Sequence, residues 1–215
     1  MFDTVVTAGT YACWGLVALI WVAGAVLGGS HSGPARKAGR DLASPAAAVA
    51  AVVILLTPGH AWQALTVGSP WVRGAGLVVL IGATAWTIWA RLALGSMWSS
   101  GAVARPDHVL RTTGPFGVTR HPVYTGILGM LAGSALAEGL GRWLALFAVV
   151  TLLLLVKTSA EERLLAAEFP AEYERYRRDV PRLIPRIRLA RPEQGGTAHD
   201  RSRSPREGTG RRPGP

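Results

Sequence analysis

Polar and apolar positions are not interleaved along most of this chain; they come in blocks. Five apolar blocks stand out, roughly Ala8 to Gly28, Pro45 to Leu65, Val72 to Leu94, Val123 to Ala137 and Trp143 to Lys157. A bilayer core about 30 Å thick needs about 20 mostly apolar residues in helix, so each block predicts a membrane helix. The second carries Pro58 and Gly59 near its end, and the last two are short, joined by "EGLGR", a connection that predicts a tight helical hairpin. After Lys157 the pattern changes period. Leu165, Phe169, Tyr173, Tyr176 and Val180 recur every three or four residues among Glu161, Glu162, Glu168, Glu172, Glu174, Arg175, Arg177 and Arg178, which predicts an amphipathic helix with a kink at Phe169 and a restart at Pro170. "VPRLIP" then ends regular structure, and the Gly, Pro, Ser and Arg-rich tail predicts disorder.

Composition agrees with a membrane protein. Only 17% of the 215 residues are charged, against about a quarter in water-soluble domains, and the net charge is +10. The basic residues cluster in the loops after the first and third blocks (Arg36, Lys37, Arg40; Arg105, Arg111, Arg120), while the other two connections hold Arg73 and Arg142. By the positive-inside rule this places the N-terminus outside, and the basic loops and C-terminus in the cytoplasm. Such loop-bound charge faces anionic lipid rather than nucleic acid. The first segment has an acidic start and reads as a retained helix rather than a signal peptide. Cys13, the single cysteine, forms no intramolecular disulfide and reads as a small buried hydrophobe.

The expected fold is therefore an all-α integral membrane protein, with about five transmembrane helices and a cytoplasmic amphipathic C-terminal helix. Residues 1–94 form a three-helix membrane region, 95–185 a core carrying the chemistry, and 186–215 a basic tail. Scarce lysine amid abundant Arg, Ala and Gly hints at a GC-rich bacterial genome, hence a bacterial inner membrane.

Chemistry concentrates in two places. In "GPFGVTRHPVYTG", Gly114-Pro115 signals a turn, and His121-Pro122 pushes His121 out of the α region so that Pro122 opens the fourth helix. That helix start, beside Arg120, His121 and Tyr124 and with His108 upstream, suits a ligand with an anionic or carbonyl group. The second place is Lys157, Glu161 and Glu162, where residues four apart share a helix face and adjacent carboxylates at a membrane helix end call for a cation.

Together, "HVLRTTGPFGVTRHPVYTG" and "EERLLAAEFPAEYERYRRDVPRLIP" resemble the integral-membrane methyltransferases of the isoprenylcysteine carboxyl methyltransferase and phospholipid methyltransferase group, over roughly Leu94 to Pro185. The resemblance implies S-adenosyl-L-methionine held by His108, Val109, Leu110, Arg111, Phe116, Arg120, His121, Pro122, Val123, Tyr124, Glu161 and Glu162, with Lys157 at the position that contacts a substrate carboxylate. Lys stands there where the prenylcysteine enzymes have Arg, keeping the charge without the bidentate fork. Phe116 replaces a usual Tyr. The implied partners are membrane lipids and a lipophilic small-molecule or lipidated methyl acceptor. No metal is implied. Two other classes share part of the pattern: membrane sterol reductases, which hold NADPH at an Arg-His-Pro-x-Tyr turn, and a non-enzymatic membrane scaffold.

Overall fold

The structure, a computed structural model, describes residues 1–27, 36–37, 43–66, 68–94, 103–104 and 110–185. The chain is nearly all helical. Six α-helices run in order: α1 (Phe2–Leu27), α2 (Ala43–Leu56), α3 (Pro70–Leu94), α4 (Pro122–Ala137), α5 (Gly141–Glu168) and α6 (Pro170–Asp179), with 3-10 turns at Gly59–Leu65 and Gly114–Gly117. A two-residue antiparallel pair, β1 (Arg36–Lys37) with β2 (Val103–Ala104), ties the loops after α1 and α3 together.

α1, α3 and α5 are long and apolar enough to cross a membrane, and α2 with the following 3-10 turn makes a fourth candidate if that bent pair is one span. Their outward faces carry exposed apolar side chains such as Leu19, Val26, Leu56, Val78 and Leu152. Water would not tolerate so much contiguous apolar surface; lipid requires it.

Glycine sets the tightest contact in the bundle. Gly126 and Gly133 on α4 lie against Thr87 and Leu80 of α3, and Gly76 of α3 against the backbone at Leu136 and Ala137, so closely that an added Cβ would overlap its neighbour. Small residues let membrane helices bring their backbones together where no hydrophobic effect drives association. α3 and α4 run antiparallel along this seam. α1 lies parallel to α3, closing a small core of Val17, Leu80 and Met130, and its Trp14 donates to Ser134 Oγ at 3.1 Å while stacking on Trp143.

Three expectations need correction. The Pro45 to Leu65 block is not one straight span: the chain bends by 93° between Leu56 and Gly59, because Pro58 has no N–H for the ladder and its ring clashes with the preceding turn. The fifth block is not short, since α5 begins at Gly141 and continues unbroken through Lys157, Glu161 and Glu162 to Glu168. Lys, Glu, Ala and Leu after the apolar run are strong helix formers, so the change of hydrophobic period marks an exit from the apolar zone and not a helix end. The helix breaks only at Phe169 (φ −126°, ψ 63°), with Pro170 opening α6. Lastly, α1 starts at Phe2, six residues ahead of its apolar block.

Candidate active site

Pro122 is the first residue of α4, and His121 ahead of it has φ −124° and ψ 63°, outside the helical well as proline demands of its predecessor. This conformation swings the imidazole away from the α4 axis toward α5. There Glu161 and Glu162, adjacent on one helix, receive its two nitrogens: Nδ1 lies 3.5 Å from Glu161 Oε2, and Nε2 lies 3.2 Å from Glu162 Oε1. Tyr124, in the first turn of α4, donates its hydroxyl to Glu161 Oε1 at 2.6 Å and lies nearly parallel to the imidazole with ring centres 5.7 Å apart. The Lys157 ammonium sits 5.9 Å from the centre of the Tyr124 ring, within reach of a cation–π contact.

Glu162 Oε1 is the most contested atom in the molecule. Besides His121 it faces Arg120 Nη1 at 2.9 Å and Arg182 Nε at 3.2 Å. The Arg182 contact is an ion pair without hydrogen-bond alignment, for its Nε–H, like that of Arg120, is buried without a hydrogen-bond acceptor. Glu161 shares the charge of His121, but the Nε–H groups of Arg120 and Arg182 beside Glu162 still lack an acceptor.

Burial alone would lower the His121 pKa, but the hydrogen bonds to Glu161 and Glu162 and the charges of both outweigh it, so the imidazole stays protonated above its ordinary range. Nearby, burial pushes the Tyr173 hydroxyl upward, reinforced by Glu162 and opposed by Arg120. Burial likewise raises Tyr176, which remains a neutral donor.

The backbone after α6 belongs to this site. Arg120 N–H donates to Pro181 O at 2.8 Å and His121 N–H to Arg182 O at 3.1 Å. Thr125 Oγ1 donates to Leu183 O at 2.7 Å. The segment thus lies across the Arg-His-Pro turn as a strap, fastened a second time where Arg182 Nη2 donates to Ser159 Oγ at 2.7 Å. α6 is pinned from the other side: Tyr173 OH accepts from Arg120 Nη1 at 3.3 Å, and Tyr176 OH donates to Phe116 O at 2.6 Å.

Of the residues singled out from the sequence, Arg120, His121, Tyr124, Lys157, Glu161 and Glu162 form one cluster, with Pro122 buried beneath it and Val123 half-buried. Phe116 borders the cluster through its carbonyl on Tyr176. Leu110 is half-buried and Arg111 exposed. His108 and Val109 lie outside the described residues. Arg182, Tyr173 and Thr125 were not anticipated. Arg182 sits in "VPRLIP", where two prolines signal an end of regular structure, and nothing in the pattern tells that such a segment returns to the start of α4.

The start of one helix is thus clasped to a Glu-Glu pair about forty residues later. The sequence profile of the isoprenylcysteine carboxyl methyltransferase (ICMT) family matches residues 76–167. The chain belongs to that family. Among curated relatives it is similar to the cobalt-zinc-cadmium resistance protein CzcN of Cupriavidus metallidurans, 35% identical over 96 residues, or 44% of each chain. It is also similar to the nickel-cobalt-cadmium resistance protein NccN of Alcaligenes xylosoxydans xylosoxydans, 30% identical over 154 residues, which cover 70% of this chain and 67% of that protein. The chain thus spans less than half of the first relative and about two thirds of the second. The ICMT match takes in α3 from Gly76, all of α4 and nearly all of α5, and so includes Arg120, His121, Tyr124, Glu161 and Glu162. It stops before α6 and the strap.

Proposed function

We propose that this chain is a membrane-embedded methyltransferase that takes S-adenosyl-L-methionine at the Arg120–His121–Tyr124–Glu161–Glu162 cluster and transfers its methyl group to a lipophilic or amphipathic acceptor arriving from the bilayer. The single observation that carries this reading is the convergence of both carboxylates of the Glu-Glu pair on the Arg-His-Pro-x-Tyr turn, in a chain of the ICMT family.

The chemistry of the donor set suits the group. S-adenosyl-L-methionine carries a carboxylate, an ammonium, ribose hydroxyls and an adenine. Arg120 and Arg182 each bury an Nε–H without an acceptor, which a carboxylate satisfies. Glu161 and Glu162 accept from ammonium or hydroxyl groups once their present partners yield. The Tyr124 ring already faces the Lys157 ammonium, as a ring face near a cation should. Leu110, Arg111 and Phe116 would complete the wall on the side of the preceding loop. When bound, the cofactor supplies an electrophilic methyl group on a sulfonium.

The protein's own part is orientation and dryness. Held by α5, the strap and the α4 start, the two reactants meet in one geometry, an advantage worth up to about 7–11 kcal/mol in ideal intramolecular cases. His121, its pKa raised by both carboxylates, holds the carboxylate pair in register. A carboxylate or thiolate acceptor needs no base. Lys157, at the lip of the cluster, supplies a positive charge for an anionic acceptor. We further propose five spans, counting the bent α2 pair and the sixteen-residue α4, with the N-terminus outside and the cluster at the cytoplasmic face of a bacterial inner membrane.

Incubating membranes that contain the protein with methyl-labelled S-adenosyl-L-methionine, then separating lipid, protein and volatile fractions, tests the activity. Label should enter one fraction with wild type and not with Glu162→Gln. Equal labelling with wild type, variant and empty membranes would refute it.

A further inference from the structure

The end of the bundle opposite the cluster holds a cavity of about 250 Å³, lined among others by Tyr11, Trp62, Trp143, Glu138, Arg142 and Leu140. Its floor is the α4–α5 turn, where Leu140 takes φ 68° between two positive-φ glycines and bridges to Thr66. α4 alone, sixteen residues long, separates this cavity from His121 by about 24 Å at the rise of an α-helix, so no group bound here reaches a methyl donor there.

Its walls are chemically unsatisfied in two complementary ways. Trp62 Nε1, a donor, and Glu138 Oε1, an acceptor, are both buried without a partner. The other Glu138 oxygen is occupied by Thr7 Oγ1 at 3.2 Å. Arg142 Nη1 makes one long contact, to Leu55 O at 3.4 Å, which leaves most of its five donors uncommitted among the described residues. The cavity wall therefore holds a guanidinium and, just beneath its surface, an indole N–H and a carboxylate oxygen that lack partners, with the rings of Tyr11, Trp62 and Trp143 beside them. A ligand that answers all of these carries a phosphate and an ammonium a few atoms apart.

The setting narrows the source. Trp71, near the same end, is almost wholly exposed at 89%, as tryptophans of a headgroup-level belt are. Leu56 and Val52 of α2, beside the cavity's Leu55, are exposed and offer a path for acyl chains. We propose that this cavity binds the headgroup of a zwitterionic aminophospholipid, its phosphate against Arg142 and the Trp62 N–H and its ammonium against Glu138. The bound lipid fills a void between α1, α2 and the α4–α5 turn and holds that end of the bundle together. The proposal stands whether or not the opposite end transfers methyl groups.

The test is native mass spectrometry of delipidated protein in detergent, titrated with phosphatidylethanolamine and, separately, phosphatidylglycerol of the same acyl chains. Wild type should bind phosphatidylethanolamine about tenfold more tightly, the worth of one charge-assisted hydrogen bond. Glu138→Gln should erase that preference, and Trp62→Phe, which keeps a ring and removes the N–H, should weaken both lipids several-fold. Should Glu138→Gln fail to fold, Trp62→Phe carries the test alone. Equal binding of both lipids to wild type, a preference unchanged in Glu138→Gln, or affinities for both lipids unchanged in Trp62→Phe would mean annular lipid or water only and would overturn the proposal.

Discussion

At the residue scale the site is organised around Glu162. Its Oε1 balances Arg120, His121 and Arg182 at 2.9 to 3.2 Å. Glu162→Gln keeps the shape, removes the charge and leaves those cations facing one another, so it should cost about 1–3 kcal/mol of stability, seen as a lower melting temperature in detergent. His121 gives a pH signature. Its pKa is raised in the folded protein, so the stability it contributes is complete below the unfolded value of roughly 6.5 and disappears as pH rises through the higher folded value. Wild type should therefore lose melting temperature on going from mildly acid to alkaline pH, and His121→Asn should lose less across that window. A variant as steep as wild type would show that another group titrates there. The side chains carrying this chemistry were legible as residue types in the sequence, because Arg-His-Pro-x-Tyr and Glu-Glu are unusual at apolar helix ends. Their pairing was not. Nothing in the pattern tells that Nδ1 meets one carboxylate and Nε2 the other, since that depends on His121 leaving the helical well and on the rotation of α5.

At the scale of elements, two devices hold the site. The glycine seam sets the distance between α3 and α4: Gly126 lies against Thr87 and Gly133 against the Leu80 backbone. Gly133→Val should destabilise by about 1–3 kcal/mol or more through overpacking, whereas Gly82→Val, where an added Cβ meets nothing within 4 Å, should be nearly silent; melting temperatures compare them directly. The strap is the other device. Arg182→Ala removes the anchors on Glu162 and Ser159 while keeping the backbone bonds of Pro181 and Arg182 to the α4 start, and it should weaken S-adenosylhomocysteine binding while leaving melting temperature within about 1 kcal/mol-equivalent of wild type, as a partly exposed ion pair implies. Helix existence could be read from the apolar blocks, and the starts at Pro122 and Pro170 from proline alone. The 93° bend at Pro58 and the length of α5 could not: proline marks a break and not its angle, and the hydrophobic period reports which face is covered and not where a helix ends.

For the whole molecule, a parallel α1–α3 pair and antiparallel α4 and α5 put Asp3, Arg73, Glu138 and Arg142 at one end, and His121, Glu161 and Glu162 at the other. Of the basic side chains at the first end, Arg73 is committed locally, paired to Asp3 and donating to Ala137 O at 2.9 Å. The proposed orientation has that end outside. In a Cys13→Ser background, Thr4→Cys should react with a membrane-impermeant maleimide on intact cells and Glu168→Cys only after permeabilisation; the reverse would invert the topology. The central claim is that one small molecule lies between the α4 start and the Glu-Glu pair. Isothermal calorimetry of purified protein with S-adenosylhomocysteine tests it most directly. Wild type should bind saturably, Glu162→Gln should lose at least about tenfold in affinity, and Glu168→Gln, at an exposed position of the same helix, should be unchanged. No heat with wild type, or equal affinity in all three, would contradict it.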